Sequence, residues 1–150
     1  MSSGAYSRGI LRILDGTIDL QTSELKVGIA KASYTPNPDE ADLTTFAASE
    51  ADCDGYDGGF GGTSRQVVRV RVFEEPDNSR IIVKLGNTIW QSLGGNTPNL
   101  LGWFVLMYEV FDDTDSIPVA YLQFAADRTT DGTDILAAFD HRHGNLRWNL

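Results

Sequence analysis

Residues 67–73 read VVRVRVF, with Val68, Val70 and Val72 on one side of an extended chain and Arg69 and Arg71 on the other. A period of two suits a strand with one buried and one wet face, and no helix can present that pattern to a core. Glu75-Pro76-Asp77-Asn78 follows as a turn, and RIIVKL then supplies a partner strand, so an antiparallel hairpin is expected here. Similar reasoning organises the rest of the chain. Residues 24–30 alternate, Thr88-Ile89-Trp90 makes a short strand, and WFVLMYEVF (103–111) is apolar on both sides, as in a doubly buried strand. IPVAYLQF follows the turn DDTDS, with Pro118 expected at the strand start or on a sheet edge because it lacks an N–H. RTTDGTD reads as a hairpin turn before ILAAF, and LRWNL closes the pattern with Leu146, Trp148 and Leu150 on one face. Val105, Met107, Phe111, Val119 and Tyr121 are the expected core.

Two segments break this rhythm. Ser2 or Ser3 can cap a short helix whose apolar face is Ile10, Leu11, Ile13 and Leu14 and whose stop is Asp15-Gly16. Residues 43–51 allow one or two helical turns. The expected architecture is therefore mainly β, an antiparallel β-sandwich or partly closed barrel with a short N-terminal helix. It forms a single domain over 1–150, with 1–20 as an N-terminal arm and helix and 21–150 as the sandwich.

Charge narrows the partners. Twelve Lys and Arg stand against 21 Asp and Glu, a formal net charge of −9. That balance opposes a nucleic-acid backbone and an anionic membrane surface. No apolar run approaches a membrane span and the first residues carry no signal-peptide pattern. A single cysteine, Cys53, permits no internal disulfide and suits a reducing cytoplasm.

The chemistry-bearing candidates are incomplete. Residues 53–62, CDGYDGGFGG, hold five glycines in ten positions. Asp52, Asp54 and Asp57 suggest a calcium loop, but position twelve from Asp52 is Thr63 rather than the bidentate acid required. A phosphate cradle needs Lys-Ser/Thr and a helix next, whereas Thr63-Ser64-Arg65 leads into a strand. His141 and His143 share one side of an extended chain beside Asp140, but nothing nearby completes a metal site. No GxSxG elbow is present, Cys53 has no neighbouring histidine, and Glu74-Glu75 and Asp112-Asp113 read as solvated turn carboxylates. A glycosidase pair drawn from distant strands stays open, with no residue singled out. The expectation is no enzyme, no cofactor and no metal. Trp90 and Trp148 keep a carbohydrate-binding module as an alternative, if they stack on sugars.

Read in order, the chain resembles a family of small tailed-bacteriophage virion structural proteins. The resemblance rests on Leu14-Asp15-Gly16, Leu25-Lys26-Val27, the segment 32–37 (ASYTPN) and Gly55-Tyr56-Asp57-Gly58-Gly59. It continues through Asn87-Thr88-Ile89-Trp90, Met107-Tyr108-Glu109, the stretch 115–124 (DSIPVAYLQF) and the terminal 144–150 (GNLRWNL). It departs at Gln123, where the family commonly has Asp, and in the long VVRVRVFEEPDNSR hairpin. The family offers no catalytic residue to carry over. The resemblance implies a virion component made in the bacterial host cytoplasm. Packaged DNA repels a chain of charge −9, so the outer capsid surface is the expected place. A capsid decoration or cement protein on the major capsid protein lattice is the first expectation, with a neck or tail component as the alternative. Self-association as a dimer or trimer is expected with it. The expected partner-binding residues are Arg8, Leu11 and Arg12 in the arm, and Tyr56 and Phe60 in the glycine-rich segment.

Overall fold

The computed structural model describes residues 2–78, 80–137 and 146–149. Among the described residues ten strands and two α-helices follow one another. The strands are β1 (Ser3–Ala5), β2 (Leu25–Lys31), β3 (Gln66–Val68), β4 (Val70–Glu75) and β5 (Arg80–Leu85), then β6 (Thr88–Trp90), β7 (Leu100–Tyr108), β8 (Ile117–Thr129), β9 (Ile135–Ala137) and β10 (Leu146–Asn149); the helices are α1 (Ser7–Leu14) and α2 (Thr44–Ser49). An antiparallel five-stranded sheet has the order β1-β8-β7-β2-β3, and smaller sheets run β10-β5-β4 and β6-β9. The large sheet does not close into a barrel, since β1 and β3 are its two edges. The mainly β, antiparallel expectation holds. Among the described residues no helix is long and apolar enough to cross a membrane.

The middle of the sheet is buried on both faces because β7 carries apolar side chains at successive positions. Leu101, Phe104, Leu106 and Tyr108 pack into the larger cluster with Val27 and Ile29 of β2, Val70, Val83 and Leu85 of the hairpin, and Trp90. Trp103, Val105 and Met107 point the other way, against Tyr6, Tyr34, Leu43 and Phe46. The hairpin β4-β5 pairs in the expected antiparallel register, with Val70 opposite Leu85 and Phe73 opposite Ile82. Pro118 sits second in β8, opposite Met107 where the register shifts, so the missing N–H coincides with an irregularity at the strand start.

Several boundaries differ from the sequence expectation. Ser2 and Ser3 do not cap α1: Ser3–Ala5 pairs with Leu122, Tyr121 and Ala120 of β8, and the helix starts at Ser7 after Tyr6. Its inward side is set by Gly9, where a Cβ would lie 2.6 Å from the Pro118 carbonyl oxygen and 2.7 Å from Val119 Cα. Only part of the expected apolar face follows, because Ile13 reaches the core while Leu11 and Leu14 stay exposed. Asp15-Gly16 does end the helix, with Gly16 at a φ of +81°. The N-terminal segment is fastened to the sheet here: Tyr6 is fully buried and its N–H donates to the Val119 carbonyl at 3.1 Å.

Phe111 is not core. It is 76% exposed, and β7 ends at Tyr108 rather than running on to residue 111. The next turn pulls the chain off the sheet: Asp112 Oδ1 accepts the Thr114 and Asp115 N–H groups, and Ser116 Oγ accepts from Val110 N–H. Val105, Met107 and Val119 are buried and Tyr121 is half-buried, as the patterning requires. The turn at 128–134 also behaves differently. It reverses the chain, but β9 leaves β8 and pairs with β6, Trp90 opposite Ile135. β10 joins β5, Trp148 opposite Ile81, while Leu150 lies outside the described residues.

Candidate functional site

The glycine-rich segment wraps a buried ion network. Arg65, which follows it, has a side chain with no exposed surface. Its Nε and Nη2 donate to the two carboxylate oxygens of Glu50 at 2.9 and 2.7 Å, the forked geometry a guanidinium offers a carboxylate. Nη1 reaches Glu109 Oε1 at 3.0 Å and Asp113 Oδ1 at 2.6 Å. Lys26 Nζ holds the other oxygen of Glu109 at 2.6 Å. The guanidinium also lies 5.3 Å from the centre of the Phe46 ring. Burial favours loss of the Arg65 proton, but hydrogen bonds to Glu50 and Asp113 and the surrounding negative charge outweigh it and hold its pKa above the ordinary value.

The loop is fastened to this network. Gly59 N–H donates to Glu50 Oε2 at 3.0 Å, Asp57 N–H to Ser64 Oγ at 2.8 Å, and Ser64 N–H to the Asp57 carbonyl at 3.1 Å. At Gly58 a Cβ would come within 2.9 Å of Glu50 Cδ, so glycine is needed there for the close approach. Four separate pieces of chain meet at one cation: the end of α2 through Glu50, the loop through Arg65, the end of β7 through Glu109 and the following turn through Asp113. Asp113 is thereby a network member and not the solvated turn carboxylate expected from sequence.

Tyr56 moves from the expected partner surface to the interior. It is buried, accepts the Ile29 N–H at 3.0 Å and donates to Glu50 Oε1 at 3.1 Å. Burial and the Glu50 charge push its phenol well above the ordinary tyrosine pKa. Phe60 is 44% exposed at the tip of the same loop. Arg8, Leu11 and Arg12 share α1, where Leu11 is 50% and Leu14 80% exposed and Arg12 pairs with Asp15 at 2.9 Å. Helical spacing puts Arg8 one turn from Leu11 and Leu11 one turn from Leu14, a continuous outward stripe.

The other candidates disperse. Asp52 bonds Lys31 at 2.7 Å, Asp54 accepts the Asn96 N–H at 2.8 Å, and neither faces Asp57, whose N–H is tied to Ser64. Among the described residues no group of three or more His, Cys, Asp or Glu is placed to hold a metal. His141 and His143 lie outside the described residues. Cys53 is buried, which raises its thiol pKa and works against a thiolate nucleophile. Trp90 cannot stack on a sugar: it is buried against Phe104 at 5.7 Å and donates to the Ser64 carbonyl at 2.6 Å. The side chain of Trp148 is outside the described residues.

No protein-family model, curated protein or solved structure matches this chain. The site therefore stands on its own geometry. Arg65, Glu50, Glu109 and Asp113 were not singled out from sequence, although one signal was present. Glu109 is the lone charge inside WFVLMYEVF, and an acid in so apolar a run needs a buried cation. What its partner is cannot be read from spacing, because Arg65 lies 44 positions away.

Proposed function

We propose that the protein is a non-catalytic structural component of a bacteriophage virion, a decoration protein bound to the outside of the major capsid protein lattice. The observation that carries this reading is the outward stripe Arg8-Leu11-Leu14 on α1, flanked by Arg12. The helix is locked to the sheet by Gly9 and Tyr6, so it presents two large apolar side chains and a cation on a rigid support. Exposed apolar groups rimmed by charge mark interaction surfaces, and rigid anchors lose little entropy on binding. Phe60 adds an exposed aromatic on a loop that the Glu50–Arg65 pair holds in shape. The net charge of −9 suits a particle exterior rather than a space filled with DNA.

Binding to purified heads that lack the protein tests this. Wild type is expected to co-sediment with them at many copies per particle, and Leu11→Asp with Leu14→Asp to abolish the association while the unfolding free energy stays within ~0.5 kcal/mol of wild type. A stoichiometry of about a dozen or fewer assigns the protein to the neck or tail instead. No association with heads or tails at all removes the virion reading.

A further inference from the structure

The outer face of the β4-β5 hairpin concentrates positive charge in an otherwise acidic protein. Arg69, Arg71 and Lys84 line a cleft of about 380 Å³ together with Phe73, Leu85 and Gly86. The pairing of Arg71 with Lys84 across the hairpin sets the two cations side by side. Among the described residues no carboxylate reaches ion-pair distance of any of these three cations. Lys84 Nζ instead lies 5.4 Å from the centre of the Phe73 ring, which is itself 45% exposed. A basic cleft with an aromatic wall fits a ligand that brings an apolar side chain and carboxylates together.

This chain carries such a group. The turn after β7 projects Val110, 53% exposed, and Phe111, 76% exposed, immediately before Asp112 and Asp115. Asp112 is folded into the turn by its bonds to Thr114 and Asp115 N–H, and Asp113 is anchored on Arg65, so the turn is a fixed projection. We propose that Phe111 of one copy enters the Arg69/Arg71/Lys84 cleft of a second copy, with Asp112 and Asp115 facing its cations. Knob and cleft are different surfaces of one chain. The contact is independent of α1 and Phe60 and of where in an assembly the protein sits. Buried aromatic and arginine anchors carry much of an interface's energy, and complementary charge orients the partners.

Sedimentation velocity over a concentration series tests the contact. Wild type is expected to self-associate at low salt, with the association constant falling on the order of tenfold at high salt. Phe111→Asp alone and the double variant Arg71→Glu/Lys84→Glu alone are each expected to be monomeric and to keep the wild-type unfolding midpoint. Mixed together they retain one intact cleft and one intact knob, so they are expected to form a one-to-one complex. A monomeric wild type at all concentrations overturns the proposal. So does self-association that survives either variant, or a mixture that stays monomeric. Tight binding of a single-stranded oligonucleotide through the same arginines, without self-association, assigns the cleft to a nucleic acid and also overturns it.

Discussion

A guanidinium with no exposed surface must place its donors inside the protein, and Arg65 gives them to Glu50, Glu109 and Asp113. Replacing Arg65 by Met strands three carboxylates, of which Glu109 keeps its bond from Lys26. Unfolding in urea is expected to show a loss of about 3–5 kcal/mol, the usual consequence of removing one partner of a buried pair. Arg65→Lys restores the charge without the fork and is expected to recover only part of that loss. A second contrast lies in the apolar residues. Met107, fully buried, should cost ~2–5 kcal/mol on truncation to Ala. Phe111→Ala should change the unfolding free energy by no more than ~0.5 kcal/mol, since that ring packs against little. Equal losses for the two would mean that the β7 boundary is misplaced. The sequence could not separate these two residues, because both sit in one unbroken apolar run. Their separation depends on the Asp112 turn, whose side-chain bonds pull the chain away from the sheet three residues early.

Elements that declare themselves by period were legible, and elements defined by a distant partner were not. Alternation in 67–73 and 80–85 specified the β4-β5 hairpin because its partner is adjacent in sequence. β1 is three residues long and carries no period of its own; it exists because β8 offers an open edge. For the same reason the turn at 128–134 did not reveal that β9 joins β6 rather than β8. The ion network was hidden too, since its members come from four elements with no fixed spacing. α1 illustrates a different limit. Its apolar residues were recognised, but which of them face inward is decided by Gly9, the residue with no side chain. Gly9→Val is therefore expected to push the helix off Pro118 and Val119 and to cost ~1–3 kcal/mol of unfolding free energy. Hydrogen exchange should show the loss concentrated in α1 and β1, with the β2-β7 ladder protected as in wild type.

For the molecule as a whole, charge and burial set opposite limits on pH. Asp52 is held below its ordinary pKa by its hydrogen bonds from Lys31 and Asn99, and Asp112 and Asp131 by theirs from Thr114 and Thr133. A depressed folded pKa contributes stability above about pH 4 that disappears as pH falls through the folded values. At the other end Tyr6, Tyr34 and Tyr56 are raised, burial being the largest cause in each, and Cys53 is raised by burial as well. Those groups stabilise the fold fully below their unfolded values, and the benefit is lost as pH climbs past about 8.5 for the thiol and about 10 for the phenols. Urea midpoints measured across pH are expected to form a plateau that falls on both sides; a flat alkaline limb would contradict the burial of the phenols. The edge position of β1 sets a timetable as well. Ser2 donates to Gln123, 121 positions further along. Ribosomes add roughly 5–20 residues per second, so the first strand waits on the order of ten seconds for its partner to be made. Until then the other edge of β7 also lacks β8, and an unpaired ladder on so apolar a strand invites pairing with a neighbouring nascent chain. Synthesis that stalls before Ile117 therefore yields not a smaller version of this protein but a sticky fragment.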